Sequence, residues 1–204
     1  MRLSMNLQFV LVLIPITAFA DNCMVPKPAA NFDYEKYLGT WYEIGRVQTA
    51  GGARWQKDCY CTNMVVKPSE KEPSTKDAIT VNGCNWGSST GDLQSATGSM
   101  YYDGHPGHWK LSFFWFLPYV DFTVLILEDD YAVTYDCSKT WWGTVNYCIH
   151  ILSRKPIQDP EVTQKILKEA LDLGLNPQNI DYVSTPQDGC WEEISSKGNP
   201  KPEL

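Results

Sequence analysis

Eight short strand-like segments follow one another along this chain, and that run constrains the fold more than any other feature. Residues that favour turns separate them, mostly glycine, proline, aspartate and asparagine. The segments are Thr40–Val47, Cys59–Lys67, Ala78–Asn85, Leu93–Tyr102, Trp109–Leu117, Phe122–Leu127, Tyr131–Cys137 and Val145–Arg154. Because the connections are short, neighbouring segments are predicted to pair antiparallel, in chain order.

A sheet of consecutive antiparallel strands has two open edges, which can pair with another chain. Closure into a barrel removes both edges, and eight strands leave room for packed side chains or one small ligand. We therefore predict an all-β fold, an eight-stranded antiparallel up-and-down β-barrel. A β-sandwich is the alternative that the strand pattern leaves open.

One α-helix is predicted after the eighth segment. Asp159 suits the N-cap, Pro160 the first helical position, and Gly174 the position where the helix stops. Between them, apolar residues recur at helical spacing, namely Val162, Ile166, Leu167 and Ala170. Because this stripe must pack against another element, we expect the C-terminal helix to lie against the outer wall of the barrel.

The first 20 residues have the pattern of a secretory signal peptide. A short apolar run, Leu7–Ile16, precedes the small residues Ala18 and Ala20, and cleavage is expected before Asp21. The folded domain is then expected to span 21–194, with a flexible polar tail at 195–204. Neither the apolar run nor any later segment is long enough for a transmembrane helix, so the predicted location is extracellular.

The chain is acidic, with 17 Lys and Arg residues against 24 Asp and Glu residues and a formal net charge of −7. Because it also lacks a basic run, the composition argues against nucleic acids and anionic membrane surfaces as partners. No hydrolase, phosphate-loop or dinucleotide motif occurs, so no enzyme activity and no cofactor are predicted.

Seven cysteines follow the expected cleavage site, and a secreted protein favours disulfides. They are Cys23, Cys59, Cys61, Cys84, Cys137, Cys148 and Cys190. An odd number leaves at least one thiol free or bonded to another chain, and the residues alone do not fix the pairing. Cys59 and Cys61 could form a metal-binding pair, but no second pair lies at ligand spacing, so no metal site is predicted.

Three sequence blocks, in order, resemble the lipocalin family, and within it the apolipoprotein D-like and bilin-binding group. FDYEKYLGTWYEIGRV resembles the first block, with Gly39 and Trp41 in its Gly-x-Trp positions. SFFWFLPYVDFTVLILEDDYAVTYDC is similar to the stretch around the second block, and HILSRKP, with Arg154, to the third. The resemblance covers nearly all of the chain after the signal peptide and implies a barrel with one closed and one open end.

The closed end is where the resemblance places Gly39, Trp41 and Arg154, which we interpret as structural residues. It implies that Arg154 lies across Trp41, since a planar guanidinium stacks well on an indole face. Glu43 shares the face of Trp41 and needs a partner, either a neighbour such as a tyrosine or a polar group of the ligand.

Alternation of side chains along a strand predicts which residues face the interior. The fifth segment has one strongly apolar face, formed by Trp109, Leu111, Phe113 and Trp115. In the last segment, Cys148 and His150 share the face of Arg154. Together with Glu43, these residues are the predicted ligand contacts, although His150 fits equally well as a histidine that is hydrogen-bonded to a neighbour.

The resemblance also implies a disulfide pattern. Cys23 would bond to Cys137, and Cys59, preferred over Cys61, would bond to Cys190. The remaining Cys61 and Cys84 lie on neighbouring predicted strands and could form a third disulfide. Cys148 would then be the odd thiol, either inert because it is buried or activated by the nearby His150.

The function that the resemblance implies is secretion, binding and transport of a small hydrophobic ligand, such as a lipid, sterol, retinoid, bilin or carotenoid. Two alternatives stay open. One is a lipocalin-type enzyme that uses a cavity thiol, similar to prostaglandin D synthase. The other is a chromophore-binding subunit of an oligomeric colour protein, with Phe114 and Phe116 at the interface. Monomer and homo-oligomer both remain open.

Overall fold

The structure is a computed structural model that describes residues 22–71 and 75–191. The predicted signal peptide and the predicted tail lie outside these residues. Eight strands form the main sheet: β1 Gly39–Gln48, β2 Cys59–Pro68, β3 Ala78–Trp86, β4 Leu93–Tyr102, β5 His108–Ser112, β6 Val120–Leu127, β7 Tyr131–Lys139 and β8 Val145–Ser153. Three helical elements and one short strand complete the fold: α1 Tyr34–Tyr37, a 3₁₀ turn Arg54–Gln56, α2 Pro160–Asp172 and β9 Val183–Ser184.

The sheet closes into a barrel. Each strand from β2 to β7 pairs antiparallel with the strand that follows it, and β1 pairs with both β8 and β2. The predicted eight-stranded antiparallel barrel is therefore confirmed, and the sandwich alternative is excluded. β2 covers the edge of β1 from Gly39 to Tyr42, and β9 covers it at Gly45 and Arg46.

The helix α2 lies on the outside of the barrel, as predicted. The Asp159 side chain accepts a hydrogen bond from the Glu161 backbone N–H at 2.8 Å, so the expected N-cap is present. Ile166 and Ala170 are buried in a cluster formed with outward-facing residues of β7 and β8, including Ile151. The apolar stripe of the helix thus covers one side of the barrel wall.

The fifth strand is shorter than the sequence predicts. It ends at Ser112 because Leu111 already pairs with Val120, so residues 113–119 form the connection to β6. Trp115 lies in this connection and is 93 % exposed. The prediction that Trp115 faces the interior is wrong, since alternation between two faces holds only while a residue has a partner in the ladder.

A bulge in β1 reverses the faces of its second half. The pairing with β8 shifts between Glu43 and Gly45, so that one extra residue is accommodated. As a result Ile44 joins the outer cluster beneath α2, and Arg46 points into the barrel, where it is 4 % exposed. Strict alternation along the sequence would have placed Arg46 on the outside.

The disulfides are Cys23–Cys137, Cys59–Cys84 and Cys61–Cys190. The predicted Cys23–Cys137 bond is present, whereas the predicted Cys59–Cys190 and Cys61–Cys84 bonds are wrong. A register shift in β2 between Tyr60 and Asn63, together with the left-handed φ of +56° at Cys61, turns that residue towards the C-terminal segment. The Cys61 backbone N–H donates to Pro186 O at 2.9 Å, which brings Cys190 within reach.

Candidate functional site

The closed end of the barrel is built on Trp41. Its ring is fully buried, and its Nε1 donates a hydrogen bond to Tyr37 O at 2.8 Å. Arg154 Cζ lies 3.4 Å from the centroid of the ring, the arrangement that the sequence blocks imply. The guanidinium also donates to the carbonyl oxygens of Lys36, Leu38 and Thr40 at 2.6–2.9 Å, so it holds α1 against the floor.

Gly39 begins β1 beside this stack. It has a φ of +97°, which a residue with a side chain rarely adopts, and an added Cβ would lie 3.4 Å from Arg154 Nη1. Glycine at this position therefore allows the chain to turn from α1 into the strand while Arg154 passes close by.

Trp109 belongs to this floor and does not line the cavity above it. It is fully buried, its Nε1 donates to Lys76 O at 2.9 Å, and its ring stacks on Tyr37 at 5.9 Å between centroids. The structure thus corrects the sequence prediction that Trp109 forms part of the ligand wall, because the aromatic rings of α1 cover it.

Above the floor lies a cavity of about 280 Å³. Its apolar lining belongs to the same core cluster as Trp41 and comprises Met64, Met100, Leu111, Phe113, Val120, Phe122 and Leu152. Its polar lining comes from facing strands and includes Glu43, Thr62, Asn63, Thr80, Asn82, Thr134, Asp136, Ser138, Asn146 and His150. Four predicted ligand contacts line it, namely Glu43, Leu111, Phe113 and His150.

The loop between β1 and β2 forms part of the same cavity. Residues 51–56 line it, and Arg46 Nη2 donates to Gln56 O at 2.7 Å, which ties the loop to the barrel wall. Gly52 packs so closely on β8 that an added Cβ would lie 2.2 Å from Tyr147 O. Glycine at position 52 therefore permits the loop to fold against the mouth of the barrel.

Four ionisable side chains form a buried network on the cavity wall. Glu43 Oε1 accepts a hydrogen bond from Arg46 Nη1 at 2.5 Å, and Thr185 Oγ1 donates to the same oxygen at 2.6 Å. His150 places Nδ1 2.6 Å from Glu43 Oε2 and Nε2 2.8 Å from Asp136 Oδ2. Because ionised carboxylates only accept hydrogen bonds, both ring nitrogens of His150 donate, and the imidazole is protonated.

The pKa values of this network follow from competition between burial and charge. Burial acts to raise the pKa of Glu43, but the hydrogen bond and charge of His150 and the charge of Arg46 outweigh burial and lower it to about 2. Burial acts to lower the pKa of His150, but its hydrogen bonds to Asp136 and Glu43 hold that pKa well above the usual range. The network therefore balances two negative against two positive charges.

The sequence profile of the lipocalin-like domain matches residues 32–185 of this chain. The chain belongs to the lipocalin family. Bovine apolipoprotein D is 28 % identical over 174 residues, covering 84 % of this lipocalin and 86 % of the relative. The outer membrane lipoprotein Blc of Escherichia coli K12 is 28 % identical over 192 residues, covering 85 % and 98 %.

Solved structures agree with the fold. Insecticyanin from the tobacco hornworm Manduca sexta superposes with a TM-score of 0.60 at 18 % identity, covering 80 % of this lipocalin and 85 % of that chain. The cockroach allergen Per a 4 superposes with a TM-score of 0.57 at 16 % identity, covering 81 % and 96 %. In the part of this lipocalin that the structure describes, neither helix combines the length and apolar character needed to cross a membrane.

Cys148 is the unpaired cysteine of this lipocalin, and it is buried. Its Sγ lies 3.8 Å from His150 Nδ1 and 3.7 Å from Gln48 Oε1, but it is not among the residues that line the cavity. Burial raises the pKa of the Cys148 thiol to about 11. The thiol therefore keeps its proton at neutral pH and is a poor nucleophile.

Several buried polar atoms beside the cavity have no hydrogen-bond partner among the described residues. They are Arg46 Nε, Gln56 Oε1, Thr62 Oγ1 and Thr134 Oγ1. Gln56, Thr62 and Thr134 line the cavity, but these particular atoms have almost no accessible surface, so a ligand in the cavity reaches them only if the side chains rotate.

Sequence reasoning missed Arg46 and Asp136, the partners of Glu43 and His150. Glu43 does have neighbouring side chains as partners, one of the two expected alternatives, although none of them is a tyrosine. For Asp136 a signal existed, because Thr134, Asp136 and Ser138 alternate with apolar residues along β7 and mark a polar inner face. For Arg46 no comparable signal existed, since its inward position depends on the bulge.

Proposed function

We propose that this lipocalin binds one small hydrophobic molecule inside the barrel and transports it in the extracellular fluid. The observation that carries this proposal is the cavity of about 280 Å³ with its apolar floor. Ligand cavities commonly measure roughly 300–1,000 Å³, so this one suits a slender ligand. Burial of apolar ligand surface then supplies about 25 cal/mol per Å².

The polar lining of the cavity indicates that the ligand carries a polar group as well as an apolar body. Met100, Leu111 and Leu152 would contact an apolar body, while Thr62 or Thr134, after rotation of its side chain, would bond a polar group. Carboxylates of Glu43 and Asp136 line the cavity, but so do the basic side chains His150 and Arg54, so the charges of the lining do not select the ionic state of the ligand's polar group. By volume, a slender lipid or retinoid fits the cavity better than a bulky sterol or a four-ring bilin.

The extracellular location is supported by the disulfides. Six of the seven cysteines form three bonds, and such bonds persist in oxidising compartments. The expected signal peptide at residues 1–20 points to the same location. Mass spectrometry of the protein secreted by expressing cells tests both, because the expected N-terminus is Asp21.

Tryptophan fluorescence tests the binding proposal directly. Trp55 lines the cavity, whereas Trp115 is 93 % exposed on the β5–β6 connection and does not line it. Titration with a retinol, a fatty acid, a sterol and a bilin should give saturable quenching by at least the first. Trp55→Phe should reduce the amplitude of that quenching, and the matched control Trp115→Phe should leave it unchanged. Absence of saturable quenching by every compound would refute the proposal.

Thr134→Val is expected to separate stability from binding. Its hydroxyl is buried without a partner, so removing it should leave the free energy of unfolding unchanged or raise it by about 1 kcal/mol. The affinity for an alcohol ligand should fall by up to about tenfold, whereas the affinity for the matching hydrocarbon should stay constant. Calorimetric titration and chemical denaturation measure the two effects.

Thr123→Val is the matched control for that variant. Thr123 is equally buried, with 1 % of its surface exposed, but does not line the cavity. Its substitution should not change ligand affinity. If both variants weaken the alcohol ligand equally, the polar group does not contact Thr134.

We propose no enzymatic activity for this lipocalin. A thiol mechanism needs an accessible cysteine with a low pKa, and Cys148 is buried with its pKa raised to about 11. Thiol titration of the folded protein should therefore detect no reactive cysteine, and a rapidly reacting thiol would reopen the alternative.

A further inference from the structure

One side-chain cluster in the barrel wall combines a carboxylate, a thiol and an imidazole. Asp136 on β7 pairs directly with Cys148 on β8, and His150 follows two residues later on the same face. Each residue offers one potential metal-ligand atom, and these atoms all lie within 4.8 Å of one another. Because two paired strands fix the backbones, the cluster is already assembled by the fold.

We propose that Asp136, Cys148 and His150 form a binding site for one divalent transition-metal ion of the zinc type. A thiolate and an imidazole favour zinc and similar ions over magnesium and calcium, and a carboxylate completes three common zinc ligands. Asp136 and His150 line the cavity, so an ion could enter from there and keep a fourth position for water or a ligand atom. This site is independent of which molecule the cavity carries.

The neighbour of His150 has the arrangement expected beside a metal ligand. His150 Nε2, which lies 2.8 Å from Asp136 Oδ2, is the ring nitrogen that would bind the ion. The other ring nitrogen, Nδ1, lies 2.6 Å from Glu43 Oε2 and would keep donating its hydrogen bond to that oxygen. Metal-bound histidines commonly donate their second ring N–H to a carboxylate, which fixes the orientation of the ring. Glu43 is itself held by Arg46 and Thr185.

Charge balance permits the exchange of protons for the ion. Without metal, the carboxylates of Glu43 and Asp136 face the cations Arg46 and His150, while the Cys148 thiol is neutral. Binding of a divalent ion releases two protons, one from His150 Nε2 and one from Cys148 Sγ. The net charge of the buried cluster is then the same before and after binding, so no extra charge is buried.

The unpaired state of Cys148 leaves it available for this role. The Cys59 and Cys61 pair, the one cysteine motif with metal-like spacing, is occupied by the disulfides to Cys84 and Cys190. Cys148 alone among the seven cysteines keeps a thiol. A thiolate ligand gives the site a spectroscopic signature that a carboxylate or histidine site lacks.

Cobalt titration of the chelator-treated protein tests the proposal. Co²⁺ should produce thiolate-to-cobalt charge-transfer absorption that saturates at one ion per chain and is abolished by Zn²⁺. Calorimetry in buffers of different ionisation enthalpy should report close to two protons released, with affinity rising as pH rises. No charge-transfer absorption at saturating Co²⁺ would overturn the site.

Variants locate the ion. Cys148→Ser should abolish the absorption. Removing a residue that only orients a metal ligand lowers metal affinity roughly 10- to 100-fold, and His150→Gln should lower the affinity for Zn²⁺ by more than that. His105 and His108, the other two histidines, flank Asp103 on the surface and provide the control. His105→Gln/His108→Gln should keep the absorption, and its disappearance in that variant would place the ion at the surface and overturn the proposal.

A readout on the unmodified chain covers the case in which a variant does not fold. X-ray absorption of the zinc-loaded protein should show one sulfur ligand, and a site without sulfur would overturn the proposal. Zn²⁺ should also raise the melting temperature of the wild-type protein in a concentration-dependent way. The absence of that rise at concentrations that saturate Co²⁺ absorption would likewise count against it.

Discussion

Trp41→Ala is expected to lower the free energy of unfolding by about 3–5 kcal/mol, the usual cost of removing a large buried aromatic side chain. Trp41 has no exposed surface, and its truncation removes the hydrogen bond to Tyr37 O together with the face on which Arg154 stacks. The guanidinium would still bond the carbonyl groups around α1, but nothing would fill the space beneath it. Chemical denaturation measures this loss.

The same variant should change ligand affinity little, because Trp41 does not line the cavity. Trp142→Ala is the matched control, since that ring is 84 % exposed and its removal should cost within about 0.5 kcal/mol. A loss below about 1 kcal/mol for Trp41→Ala, or a large loss of affinity in a stably folded variant, would show that Trp41 is not primarily a structural residue.

Glu43→Leu is expected to cost about 3–5 kcal/mol of stability, because it leaves the buried Arg46 guanidinium without its carboxylate. Both side chains are almost fully buried, so water cannot replace the lost partner. The double variant Glu43→Leu/Arg46→Met removes one negative and one positive charge and leaves His150 paired with Asp136. It should be more stable than either single variant.

An exposed ion pair provides the control for this cycle. Lys168 and Asp172 form a pair on the surface of α2, and Asp172→Asn should change stability by no more than about 1 kcal/mol. If the effects of Glu43→Leu and Arg46→Met simply add in the double variant, the two residues are not energetically coupled and the network does not stabilise the fold as a unit.

Much of the fold could be predicted from the sequence because the relevant forces are local. Turn residues between apolar segments gave the strand order, and Asp159 and Pro160 marked the start of α2. The one strand that was predicted too long, β5, shows the limit of this reasoning. Aromatic residues after Ser112 have high strand propensity, but the pairing of Leu111 with Val120 turns them into a connection.

The site was predicted only in part. Leu111, Phe113, Glu43 and His150 were placed at the cavity by alternation, and they line it. Trp109 lies in the floor because the rings of α1 cover it, and Cys148 is buried and does not line the cavity. Alternation predicts which face of the strand a side chain lies on. It does not predict whether residues of other elements cover that side chain and separate it from the cavity.

The sequence by itself determined the strands of the barrel and the helix that follows them, because turn chemistry, helix capping and side-chain periodicity act over a few residues. The Gly39–Trp41 floor was implied by the resemblance to the lipocalins. Only the tertiary structure decided that Arg46 faces Glu43 and that Cys61, not Cys59, reaches Cys190. Both outcomes depend on bulges in β1 and β2, where one extra residue reverses the inward and outward faces. Where such a residue is accommodated depends on the register of the neighbouring strand, which lies far away along the chain.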